Sequence, residues 1–236
     1  MNQAVPVVTI DGPGGSGKGT ISRLLAKKLG WHWLDSGAIY RVLALAALNE
    51  NISLDDADAL VSLANNLDVV FQENERGEPQ VLLKAVDVTT DLRTETCGDA
   101  ASQVAAIPAV RKALLARQQN FRQPPGLVAD GRDMGTVVFP DAPVKIFLTA
   151  CLEERVKRRH KQLKEQGFEF SIDALFHEMA ARDKRDAERA VAPLQAAEDA
   201  EVLDCSYLSI DEVVDKVMTL IEKKVGGTRS KAHTEF

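Results

Sequence analysis

One stretch limits what this chain can fold into more than any other: Gly12-Pro13-Gly14-Gly15-Ser16-Gly17-Lys18-Gly19-Thr20. Five of the eight residues from 12 to 19 are glycine. Without side chains, successive backbone N–H groups can turn toward one centre and cradle phosphate oxygens. The flanks fit that use. Val7 to Ile10 is a β-branched run expected to be a strand. Thr20 to Leu29 carries helical periodicity in Ile21, Leu24 and Leu25, and Gly30 stands where a helix-ending glycine would. A helix starting there adds unsatisfied N–H groups and the positive end of its dipole. Lys18 brings a mobile positive charge for the outer phosphates. A chance glycine-rich turn would lack this strand–loop–helix frame.

The remaining chain alternates in the same way. Short apolar runs at His32–Leu34, Gly126–Asp130, Val144–Leu148 and Val202–Leu203 read as strands. Helices are expected from Ser36, as cap, to about Leu48, and over 53–64 with Ser53 as cap. More helix is expected over Ala100–Phe121 with an interruption at Pro108, over 151–166, from Ser171 to about Arg189, and over 211–224. Alternating strands and helices imply an α/β fold, a doubly wound parallel five-stranded sheet with helices on both faces. Leu67–Gln72 and Gln80–Lys84, with polar turn residues between, suggest a small antiparallel insert at about 65–97. The domain expected is thus 1–225, with 226–236 a disordered tail.

Ligands of such sheets bind beyond the C-terminal strand ends. The informative residues collect there: Asp11-Gly12 after the first strand, Asp35-Ser36 after the second and Asp130-Gly131-Arg132-Asp133 after the third. Net charge is 29 − 35 = −6, so any anionic ligand must be held by local basic groups rather than by the whole surface. The acidic balance and 5% aromatic content argue against a nucleic-acid module. The longest apolar run, Val42–Leu48, is far short of the roughly 20 residues of a membrane span. Met1–Pro6 shows no signal-peptide pattern, so the cytoplasm is expected. Cys97, Cys151 and Cys205 are scattered, as are the four histidines, and no metal-ligand cluster is readable.

A phosphate loop alone leaves kinases, GTPases and ATP-driven machines open. A guanine-reading GTPase would carry N-K-x-D, and no Asn-Lys pair occurs. Further segments narrow the field: Asp35-Ser36-Gly37-Ala38-Ile39-Tyr40-Arg41, Asp130 through Leu148, Ala101 through Ala106, and Arg182 through Arg189. With the G-K-G-T form of the loop, in this order and around the 65–97 insert, they resemble the bacterial cytidylate kinases, of the nucleoside monophosphate kinase family. The resemblance spans roughly residues 5–225.

It implies transfer of the γ-phosphoryl group of ATP to CMP, and to dCMP, by a monomer without nucleic-acid or membrane partners. It implies ATP on Gly12 through Thr20, with Lys18 at the transferring group. Arg41 and Arg132 are implied for the acceptor phosphate, beside Ser36 and Tyr40. Ser102, Arg111, Asp133 and Arg189 are implied for the cytosine edge, and Arg182 and Asp186 for the sugar hydroxyls. A lid is implied at about 153–170, with one of Arg155, Arg158 and Arg159 reaching the ATP phosphates; Arg158 is the expected one. Gly19 stands where the commonest form of the loop has a hydroxyl, which is delayed to Thr20; the resemblance implies magnesium with the ATP, held largely through water and phosphates, and Asp130 is the candidate water-mediated ligand. Each residue also has a plainer reading. The arginines can be surface ion-pair partners, Ser36 a helix cap, and Asp130 a structural carboxylate. A kinase for another monophosphate such as UMP, or a nucleotide-dependent binding module, remains the alternative.

The chemistry of such a transfer suits these residue types. A phosphomonoester has its second pKa near about 6, so its oxygens are already nucleophilic near neutral pH. No general base is needed, and catalysis reduces to positioning and charge neutralisation.

Overall fold

Val7-Val8-Thr9-Ile10-Asp11 forms β1, with every residue buried. A strand covered on both faces reads as a continuous apolar run, which is why it shows no alternation. A computed structural model describes residues 5–165 and 167–226 of the chain. The expected tail, apart from Gly226, lies outside the described residues. The chain falls into two compact units, one made of the residues up to Asp35 together with those from Gln119 onward, the other of Ser36–Gln118.

The first unit holds the parallel sheet: β1 (Val7–Asp11), β2 (His32–Asp35), β6 (Leu127–Gly131), β7 (Val144–Thr149) and β8 (Glu201–Asp204), in the order β2-β6-β1-β7-β8. Helix α1 (Lys18–Leu29) and helix α8 (Ile210–Ile221) cover one face. Their core joins Val8, Ile10, Val128, Ile146 and Leu148 to Ile21, Leu25, Val213 and Val217. On the other face a wide helical turn, Met134–Val138, lies against β1. Gly135 presses onto that face so closely that a Cβ there would come within 2.8 Å of Thr9 Oγ1. Helices α6 (Leu152–Glu165) and α7 (Ile172–Ala187) pair over a small core of their own, Val156, Leu163, Leu175 and Met179, with Phe168, Phe170 and Phe176 packed against it.

The second unit carries α2 (Ser36–Asn49), α3 (Ala57–Asn65), an antiparallel sheet of β3 (Val69–Glu73), β4 (Pro79–Leu83) and β5 (Val86–Asp87), then α4 (Glu95–Val104) and α5 (Pro108–Gln119). Pro108 opens α5, where its missing N–H costs nothing. Among the described residues no helix is long and apolar enough to cross a membrane.

Several boundaries differ from expectation. Helix α1 begins at Lys18 rather than Thr20, capped by Gly17 at φ 90°. Ser36 is not a cap: β2 runs straight into α2, and the Ser36 hydroxyl donates to Gln118 Oε1 at 2.6 Å. Asp56, not Ser53, caps α3, accepting from the Ala59 N–H at 3.0 Å. Helix α4 starts at Glu95 rather than Ala100, because Thr94 accepts from the Cys97 N–H. β5 carries no readable signal. It has two residues, and the turn before it places Lys84 and Ala85 at φ 49° and 63° without any glycine to announce it.

Candidate active site

The phosphate loop leaves β1 at Gly12, where a Cβ would sit 2.0 Å from the Leu148 carbonyl oxygen. No larger residue fits there. Three donors then hold the outer carbonyls of the loop. Arg155 Nη1 donates to Gly14 O at 3.0 Å, Cys205 Sγ to Ser16 O at 3.2 Å, and Arg158 Nη1 to Ser16 O at 3.4 Å. In a trans peptide the N–H points opposite to the carbonyl. Pinning Gly14 O and Ser16 O therefore aims the N–H groups of Gly15 and Gly17 away from those donors. Lys18 Nζ folds back on the loop and donates to Pro13 O at 3.1 Å.

Arg155 is almost fully buried and uses its whole guanidinium group. Nε donates to Ala150 O at 2.9 Å and Nη2 to Asp183 Oδ2 at 2.6 Å, besides the bond to Gly14. It joins the end of β7, the loop and α7. Arg158 also turns inward, and its Nη2 donates to Cys205 O at 2.6 Å and Ser206 O at 3.3 Å. Arg159 donates to Gln162 on the surface, and Lys157 pairs with Glu154. On the basic stripe of α6, Arg155 and Arg158 thus brace the loop, while Lys157 and Arg159 contact side chains of α6 itself.

Arg132, past the end of β6, lies beside the loop: a Cβ on Gly14 would be 3.7 Å from its Nη2. Its Nε donates to Asp186 Oδ2 at 2.8 Å, in a pair with little solvent on either side. Burial opposes charge on both groups. Each still favours its ionised form: Asp186 raises the Arg132 pKa, while Arg132, Arg189 and Arg182 hold Asp186 below the usual carboxylate range. Arg189 lies beyond α7, and its Nη2 donates to Ala192 O at 2.7 Å. Asp133 is buried at the start of the 134–138 turn.

Two more carboxylates end neighbouring strands. Asp130 and Asp35 are register partners on β6 and β2. Burial, and then the charge of Asp35, push the Asp130 pKa up to about 7, although Trp33 Nε1 donates to its Oδ2 at 2.9 Å and the charge of Lys18 opposes the shift. Among the described residues no three His, Cys, Asp or Glu side chains gather to cage a metal directly. Asp11, the last residue of β1, accepts from the Met134 and Gly135 N–H groups, each at 2.8 Å.

In the second unit, the Arg111 guanidinium lies over the Tyr40 ring, 5.5 Å from its centroid, and Nη1 donates to Ala105 O at 3.2 Å. Ser36, Ser102 and Arg111 are buried there, and the Arg41 carbonyl accepts from Cys97 Sγ at 3.5 Å.

A family model described as cytidylate kinase matches residues 8–223. The chain belongs to the cytidylate kinase family. A cytidylate kinase of Aeromonas salmonicida (strain A449) is 59% identical over 96% of this chain and 98% of its own length. One from Proteus mirabilis (strain HI4320) is 58% identical over 94% and 99%, and one from Shewanella baltica (strain OS155) 55% identical over 97% and 100%.

Of the residues expected for the site, the first unit brings together the glycine loop, Lys18, Asp130, Arg132, Asp133, Asp186 and Arg158. Sequence reading gave no site role to Asp11, Trp33, Asp183 or Cys205. Asp11 stands at a strand end, where a signal existed. Cys205 and Asp183 gain their roles only through contacts with residues far along the chain.

Proposed function

We propose that this chain transfers the γ-phosphoryl group of ATP to CMP, and to dCMP, giving the diphosphate and ADP. The observation that carries the reading is the family match over residues 8–223, within which a phosphate loop and Arg132 lie side by side. An oxygen of the CMP phosphate attacks the γ-phosphorus, the bond to the β–γ bridging oxygen breaks, and ADP leaves. The protein supplies position and positive charge.

The residue roles belong to the proposal. The Gly12–Thr20 amides hold the ATP phosphates, and Lys18 exchanges Pro13 O for the transferring group. Arg132 exchanges Asp186 for the acceptor phosphate, which Arg41 shares. Asp133 accepts from cytosine N4, while Arg189 donates toward O2 and N3. Asp186 and Arg182 take the sugar hydroxyls. Ser36, Tyr40, Ser102 and Arg111 complete the acceptor assignments on the second unit. Arg158 turns from the 205–206 carbonyls to the ATP phosphates, with α6 and the following loop, about 153–170, as the lid. Magnesium, held through water by Asp130 beside Asp35 and by the phosphates, would offset phosphate charge. The reading includes a monomer acting in the cytoplasm.

An ADP-release assay with ATP and CMP, dCMP, UMP, AMP or GMP tests it. CMP should give the highest kcat/KM. Equal turnover of CMP and UMP would overturn the substrate assignment, and ADP release independent of any acceptor would overturn the transfer.

A further inference from the structure

The wide turn over Met134–Val138 begins at Asp133, which occupies the N-cap position yet makes no capping bond to it with its side chain. The first amides of that turn go elsewhere. Asp11 Oδ1 accepts from Met134 N–H and Asp11 Oδ2 from Gly135 N–H, both at 2.8 Å, and the Asp11 side chain is buried. Capping is normally local. Here it comes from the last residue of β1, immediately before the phosphate loop. Gly135 makes the approach possible. A Cβ there would meet Thr9 Oγ1 at 2.8 Å and the Lys145 stem at 3.2 Å, so only glycine lets this amide reach the floor of the sheet.

We infer that Asp11 is a positioning residue, a buried two-point cap that holds Arg132 and Asp133 in register with the phosphate loop. One side chain thereby links the segment that would bind the donor to the segment that would bind the acceptor. The inference rests on the proposed roles of Arg132 and Asp133 toward CMP.

Carboxylate chemistry is essential to the link. Each oxygen accepts one amide. Asparagine of the same shape offers one acceptor and one NH2, and the NH2 would face a backbone N–H. Asp11→Asn should therefore release one of the two amides. The Arg132–Asp133 segment should then lose its placement, while the phosphate loop keeps its own braces at Arg155, Arg158 and Cys205.

The test pairs hydrogen exchange with kinetics on the full chain. In Asp11→Asn, the Met134 and Gly135 amides should exchange faster than in the parent. The dissociation constant for ATP should stay within about threefold, while kcat/KM for CMP falls by about 10- to 100-fold, the scale of a displacement near 1 Å. Gly135→Ala lifts the same amide from the other side and should reproduce that pattern, so it carries the test if Asp11→Asn does not fold. Faster exchange with unchanged CMP kinetics would reduce Asp11 to a structural cap and overturn the inference. Unchanged exchange would overturn the cap itself. Parent protein that fails to turn over CMP would sink the underlying reading, and the exchange arm would still decide whether Asp11 anchors the turn.

Discussion

The phosphate loop and the Arg132–Asp186 cluster are built in opposite ways. The loop is one continuous stretch whose proposed working groups are backbone amides, with glycines admitting the required conformations and bracing from Arg155, Arg158 and Cys205. The cluster is made of side chains 54 positions apart, joined by a buried ion pair. The difference teaches where tolerance to change should lie. A backbone device fails when the chain path is blocked, whatever the charge. A side-chain device fails when a partner is lost, and its damage is specific to what that partner recognises.

Four measurements would break or sharpen this contrast. Lys18 is the loop's one charged side chain, so Lys18→Ala should lower kcat by about 100- to 1000-fold, as loss of a preorganised charge donor does. Its melting temperature should barely move. Retention of a third of the parent kcat would detach Lys18 from the transfer. Gly12→Ala tests the backbone side. With the Leu148 carbonyl oxygen 2.0 Å from the new Cβ, the loop must shift, and kcat/KM for ATP should fall by about 100-fold. A variant with parent-like ATP kinetics would show that the loop tolerates a displaced path.

On the side-chain device the effects should be smaller and more selective. Asp133→Asn should cut the ratio of kcat/KM for CMP over UMP by about tenfold, mostly through CMP, since a charged acceptor becomes a neutral one. Equal losses on both substrates would mean that Asp133 only orients its neighbours. The smallest expected effect concerns stability. A double-mutant cycle on Arg132→Ala and Asp186→Ala should give a coupling of roughly 1–3 kcal/mol at pH 7. Because the Arg132 charge and its neighbours hold the folded Asp186 pKa below the usual carboxylate range despite burial, that coupling is present above about pH 4 and lost as pH falls through the folded value. Denaturant unfolding at pH 7 and at successive steps below pH 4 reads both; additive effects at pH 7 would show that the pair contributes nothing.

Sequence by itself determined the local parts. Val7–Asp11, the glycine loop and α1 form one strand–loop–helix unit whose signals lie within 25 residues. The parallel sheet and the position of the charged segments at strand ends followed from alternation alone. Boundaries slipped where a side chain was drawn away or a nearer one capped first, as at Ser36 and Ser53. β5 escaped because two non-glycine residues adopt the left-handed turn ahead of it. Tertiary structure alone decided which charges meet. Arg155 and Arg159 lie four apart on one basic helix, yet the first is buried on Gly14 and Asp183 and the second faces Gln162. Asp11 and Gly135 are joined across 124 positions. Local propensity acts over a few residues, whereas hydrogen bonds and ion pairs act over a few ångströms. Only the packed chain makes those two kinds of nearness coincide.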